Sequence, residues 1–355
     1  MKTASLDRGN RLISLDQFRG YTVAGMFLVN FIGGFSVVHD VLKHHNTYNS
    51  YADTIMPHFF FAVGFAMRLV ARRSADPASK LQLAKRSLGL ILLGVVVYKL
   101  DGRYNNWSEL ESLSWEGFLA QNFLRSPFQA LVHIGLTCLW ILPVIHRRSR
   151  DLIVFGALSG LLHLGISRWF WYDLLQQWHV IDGGQLGFLS WTLPTIAGAL
   201  AYDTILKFGA GAAIRPLLRW GILLSLAGYL ISCIHGVEAP PFWPPVHAVD
   251  IWTMSQRAGS LSYQTFSAGF SLVVFCLFLW LCDVRGKRLE SPFLRTFGTN
   301  ALAGYLIHMS VAACLRPLGP KNSPLWYAAG LTIAYFVIVW TFVRALERRN
   351  IFLRL

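Results

Sequence analysis

Charge is scarce in this chain: of 355 residues only 14% are Asp, Glu, Lys or Arg, while 54% are hydrophobic. A soluble domain needs more polar surface than that, so the composition excludes the water-soluble classes and leaves an integral membrane protein. Cysteine is also sparse. The five, Cys138, Cys233, Cys276, Cys282 and Cys314, all fall within apolar runs, which excludes a disulfide framework in an exposed loop. No CxxC or comparable spacing occurs, so no metal is expected. Internal repeats, low-complexity tracts and a separate soluble segment are lacking too. The chain therefore reads as one domain over residues 1–355, with a cytoplasmic N-terminal segment 1–16, a helical bundle 17–346 and a cytoplasmic tail 347–355.

What is abundant is apolar sequence of membrane-crossing length. Runs bounded by charge, Pro or Gly recur at about 17–38, 54–71, 87–100, 127–145, 152–170, 187–206, 217–235, 263–282, 297–315 and 326–346. The expectation is an all-α polytopic bundle of about ten spans, or eleven if one surface stretch crosses. The short run 87–100 and the amphipathic stretch 107–123 are the segments on which that count turns. Residues 1–16 carry Lys2, Arg8 and Arg11 but no apolar core or small-residue cleavage site, so the first span is expected to stay and serve as the insertion signal.

The net charge of +14 follows the loops. Alternating them between sides puts about 23 Lys and Arg with the N-terminus and about 8 opposite, which predicts cytoplasmic termini. Topology and anionic headgroups account for most of this excess, so membrane lipid is an expected partner and nucleic acid is not. Histidines run the other way. His39, His44, His45, His58, His179, His235 and His247 fall at or beyond the external span ends, together with Asp40, Asp53, Asp182 and Asp250. Proton chemistry is thus concentrated on the external face, beside loops rich in Trp and Tyr, whose rings suit either the membrane interface or a stacked sugar.

The densest polar group lies at the first hairpin. Asp16 and Arg19 share one helix face at the cytoplasmic boundary, an arrangement that a helix-end ion pair alone would explain. Asn30 stands at external depth before Gly33 and Gly34, where an amide needs a partner or a water-filled cavity. Then come His44, His45 and Asp53, followed by Pro57 in what reads as a first helical turn. A histidine beside a carboxylate has the composition of an oriented general base, although loop histidines often only touch headgroups.

The order "SLDQFRG", "MFLVNFIGG", "LKHHNTYNSYADTIMPHFFFAVGFAM" resembles the N-terminal signature of the heparan-alpha-glucosaminide N-acetyltransferase family over about residues 11–72. It continues faintly in "DGGQLGFLSWTLPTIAGAL" and "RTFGTNALAGYLIHMSV". The resemblance implies acetyl-CoA arriving from the cytosol and N-acetylation of an amino sugar on the far side. It assigns the family's active-site histidine, after "LK", to His44 and its active-site asparagine, in "VN", to Asn30. Where relatives often have one histidine, this chain has two, so His45 stays an alternative to His44.

On this expectation His44 is the proton acceptor or a transient acetyl carrier, Asp53 orients it, and Asn30 donates to the oxyanion. Arg19, with Asp16 beside it, and the basic loops would hold the CoA nucleotide. Asn300 and His308, eight residues apart on one span, are candidates for the acetyl-CoA path or the acceptor site. Asp182 and Trp191 are further acceptor-site candidates. The expected home is a bacterial inner membrane, with a homodimer left open. The competing reading is a proton-coupled transporter, which intramembrane Asp, His and Asn would also serve.

Overall fold

The computed structural model describes residues 12–45, 47–74, 76–285 and 290–353. Lys2, Arg8 and Arg11 of the N-terminal segment and Asn46 of the polar loop lie outside these residues. The described chain is all-helical, with no strand. In chain order the helices are α1 (Ile13–Ile32), α2 (Tyr51–Arg73), α3 (Pro77–Tyr98), α4 (Trp107–Glu111), α5 (Trp115–Asn122), α6 (Ala130–Ile141) and α7 (Ser149–Ile166). There follow α8 (Tyr172–Trp178), α9 (Gly187–Ser232), α10 (Leu261–Leu279), α11 (Pro292–Thr299), α12 (Ala301–Leu315) and α13 (Leu325–Arg348).

Among the described residues, 7 helical stretches are long and apolar enough to cross a membrane, which makes this an integral membrane protein. One of them, Gly184–Ser232, carries two of the expected spans: its two arms meet at Gly209, whose φ of 76° only glycine adopts without strain. The cytoplasmic connection expected near 207–216 is therefore helical almost throughout. Two other expected spans are not among the 7. The run 17–38 stops as a helix at Ile32, since Gly33 and Gly34 are poor helix formers, and Phe35 and Val38 bury themselves through turns instead. In the run 127–145 only the 12 residues of α6 are helical.

The core around α1, α2, α9 and α10 is aromatic, with Phe18, Phe61, Phe65 and Phe275 fully buried against one another. Small residues let the backbones approach. A Cβ at Gly64 would overlap the Thr195 carbonyl oxygen, and one at Gly198 the Phe61 carbonyl oxygen, so α2 and the first arm of α9 cross in direct contact. This crossing sets α2 against α9 below the polar hairpin. A second group, α11, α12 and α13, packs against α1 through Phe297, His308 and Tyr335, all in ring contact with Phe27.

The start of α2 differs from expectation in a useful way. Its cap is Ser50, so Pro57 sits inside the helix rather than in its first turn. Proline has no N–H for the carbonyl four residues back, which is that of Asp53. The Tyr263 hydroxyl takes that place, donating to the Asp53 carbonyl at 2.6 Å from α10.

Candidate active site

Asp53 is positioned by the local code of a helix start. Ser50 and Asp53 form a capping box: the Asp53 N–H donates to Ser50 Oγ, and the Ser50 N–H donates to Asp53 Oδ2 at 2.9 Å. The Ser50 hydroxyl lies within 2.8 Å of both Asp53 Oδ2 and the Lys43 carbonyl, so the same residue pins the chain just before His44. One carboxylate oxygen is thereby consumed by the cap. The other, Oδ1, faces His44 Nδ1 at 2.8 Å. Asp53 is fully buried, whereas the His44 ring remains about one-third exposed.

The far nitrogen of the same ring, Nε2, lies 3.1 Å from Asn30 Oδ1 near the C-terminal end of α1. A carboxylate and an amide oxygen can only accept, so this arrangement places a proton on each ring nitrogen. Burial by itself lowers the basicity of His44, but the hydrogen bond and charge of Asp53, aided by the charge of Asp182, outweigh it and hold the imidazole pKa above its ordinary value. With Oδ1 turned to His44, the Asn30 Nδ2 group keeps its donors for another partner.

His44, Asn30 and Lys43 lie in the wall of a cavity of about 660 Å³. Its remaining walls come from distant sequence: Tyr98 and Gln129 at the ends of α3 and α6, Tyr305 and His308 along α12, Arg316 just past its end, and Tyr335 on α13. Tyr98 and Tyr305 join through their hydroxyls, and the Leu131 N–H donates to Tyr98 Oη at 3.0 Å. Tyr98, Gln129, Tyr305 and Arg316 were missed in the sequence. Tyr305 could have been found, because it stands three residues before His308 and so shares its face.

The other expected site residues separate. His45 lines the cavity, yet its Nε2 donates to the Asp40 carbonyl at 2.8 Å and its ring stacks on Tyr48, so Asp53 orients His44 and not its neighbour. Asp182 is buried behind the site, accepting from Gln256 Nε2 at 2.6 Å; burial pushes its carboxyl up to about 6 despite that bond. Trp191 is wholly buried, stacked on Phe60 and donating to the Asp182 carbonyl at 2.8 Å, so no sugar ring reaches it in this arrangement. Asn300 spends its amide on the C-terminal backbone, donating to the Ile351 carbonyl and accepting from the Leu353 N–H. Asp16 and Arg19 lie at the opposite end of α1 from Asn30, Arg19 some eleven residues or ~16 Å away along the helix.

Residues 11–182 match the family model described as "Heparan-alpha-glucosaminide N-acetyltransferase, catalytic". That stretch contains Asn30, His44, Asp53, Tyr98 and Gln129, and stops before the α12 and α13 wall. Among curated proteins none matches the chain. The ordered motif of the first hairpin, the bundle of apolar helices and the match over residues 11–182 agree in supporting the heparan-alpha-glucosaminide N-acetyltransferase family, a family of transmembrane acetyltransferases.

Proposed function

We propose that this protein transfers an acetyl group from cytosolic acetyl-CoA to the amine of an extracytoplasmic amino sugar of the glucosamine type, in the cavity headed by His44. The observation that carries the reading is the chain Asp53–His44–Asn30, which ends in the wall of a 660 Å³ cavity. The excess of Lys and Arg on the side of the N-terminus supports a cytoplasmic N-terminus and an external site, and a bacterial inner membrane is the location proposed with it. Arg19 and the basic loops are the candidate partners of the CoA phosphates. The distance from Arg19 to Asn30 suits an extended pantetheine arm.

In this reading, the amine attacks the thioester carbonyl, the Asn30 Nδ2 group donates to the oxyanion, and the His44 imidazolium gives its Nε2 proton to the sulfur as the C–S bond breaks. The sequence alone favoured His44 as proton acceptor or acetyl carrier. Two hydrogen-bond acceptors on its ring favour the donor role.

The sign of the pH dependence follows. A proton donor works below its pKa, so activity should fall as pH rises through a value above the ordinary ~6.5 of imidazole. The same interaction stabilises the fold fully below that ordinary value and is lost as pH rises through the raised one. Asp53→Asn removes the charge that holds the ring protonated and is expected to move the alkaline limb of kcat/KM to lower pH. An unmoved limb would assign it to another group.

Release of free CoA from acetyl-CoA by the detergent-purified protein, with and without glucosamine, tests the whole reading. Acceptor-dependent release is expected. Neither binding nor turnover of acetyl-CoA with any amino sugar would refute it and favour transport.

A further inference from the structure

The proposed reaction leaves one proton without a destination: the one that the amine nitrogen sheds as it forms the amide. His44 offers no lone pair for it, since Asp53 Oδ1 and Asn30 Oδ1 occupy both ring nitrogens. Besides His44 and His45, whose Nε2 donates to the Asp40 carbonyl and whose ring stacks on Tyr48, a third imidazole lines the same cavity. His308 sits midway along α12, and its Nδ1 donates to the carbonyl of Tyr305 one turn back on its own helix. A carbonyl only accepts, so the Nδ1 site carries the proton and Nε2 is the nitrogen left to the cavity. Among the described residues Nε2 makes no hydrogen bond.

The ring is also held in place. It stacks on Phe27 with centroids 4.8 Å apart and an interplanar angle of 23°, and Tyr305 meets its edge. Phe27 precedes Asn30 by three residues, so α1 presents the stacking ring and the amide on one face, one turn apart. The hydrogen bonds of the two histidines are complementary: His44 is held as a donor at both nitrogens, and His308 keeps one nitrogen free to accept. His58, His133 and His163, also buried, do not line the cavity.

We infer that His308 is a catalytic residue, the general base that takes the proton of the attacking amine through Nε2. This rests on the acetyltransferase reading above. The step balances: the N–C bond forms, the C–S bond breaks, the amine proton goes to His308 Nε2, and the CoA sulfur takes the proton of His44 Nε2. Proton exchange from His308 to His44 through cavity water restores both rings.

The test uses the full-length protein and two nucleophiles. His308→Asn keeps a side-chain N–H near the Tyr305 carbonyl and has nothing at the Nε2 position. Acetyl transfer to glucosamine is expected to fall about 100-fold. Hydroxylamine, already neutral at neutral pH, has less need of a base and is expected to be acetylated within about tenfold of the wild-type rate. His44→Asn is expected to lose both reactions. Equal loss of both nucleophiles in His308→Asn would overturn the assignment and make the residue a binding or packing group. Full retention of the glucosamine rate would overturn it too. Should the Asn variant melt far below wild type, His308→Gln provides the same comparison. A wild-type protein inert toward both nucleophiles would instead remove the acetyltransferase reading, and this assignment with it.

Discussion

His44→Asn is expected to lower acetyl transfer by about 10³-fold or more while leaving the fold nearly as stable as wild type. The amide of the new side chain can still donate to Asp53 Oδ1 from the Nδ1 position, so the buried carboxylate keeps its partner. What disappears is the Nε2 proton and its contact with Asn30. His44→Ala should lose the same activity and, in addition, stability of roughly 1–3 kcal/mol, because it leaves a fully buried carboxylate oxygen short of a donor. His45→Ala should lose far less, since its ring donates to backbone and stacks on Tyr48. Release of CoA read with a thiol reagent, beside the melting midpoint of each variant, separates these outcomes. Retention of more than about a tenth of the activity by His44→Asn would refute its role as proton donor.

The largest expected effect on stability lies at the other end of the bundle. Arg68 is completely buried on α2, with Nε at 3.0 Å and Nη2 at 2.7 Å from the Asp203 carboxylate of α9, while its Nη1 donates to the Ile145 carbonyl. Asp203 also accepts from Arg72 Nε at 3.1 Å and from Ser149 Oγ at 2.8 Å. One carboxylate thus joins α2, α7 and α9, and Arg68 extends the tie to the chain beyond α6. Removing one partner of a buried pair strands the other, so Arg68→Ala is expected to cost about 3–5 kcal/mol. Arg68→Lys should recover only part of this, since an ammonium cannot form the bidentate pair. Melting in detergent measures both variants. A melting midpoint unchanged in Arg68→Ala would show that Arg72 and Ser149 suffice to satisfy Asp203.

The fate of the basic segment around Arg72 shows the limit of reading charge by loop. Counted as a topology signal, Arg72 is one of many cytoplasmic cations. In the fold it is committed to Asp203, a carboxylate 131 residues away. The same limit applies to Trp191 and Asn300. Both are polar-capable residues in apolar surroundings, and nothing local says that one stacks under Phe60 and the other clasps the C-terminal backbone.

What the sequence determined by itself is whatever depends on near neighbours. Apolar runs specify membrane-length helices because each buries its own backbone hydrogen bonds. Gly33 and Gly34 stop α1 and the Ser50 to Asp53 spacing encodes a capping box, while Asn30 and His44, with Asp53 beside them, were named through the family that the motif of this one hairpin resembles. Only the tertiary structure decided which histidine meets Asp53, that Pro57 frees a carbonyl for Tyr263, and that Tyr98, Tyr305, His308 and Arg316 wall the cavity opposite His44. Those relations cross up to 272 residues, from His44 to Arg316. They are set by how whole helices pack, through small residues and aromatic rings, and no local spacing records that.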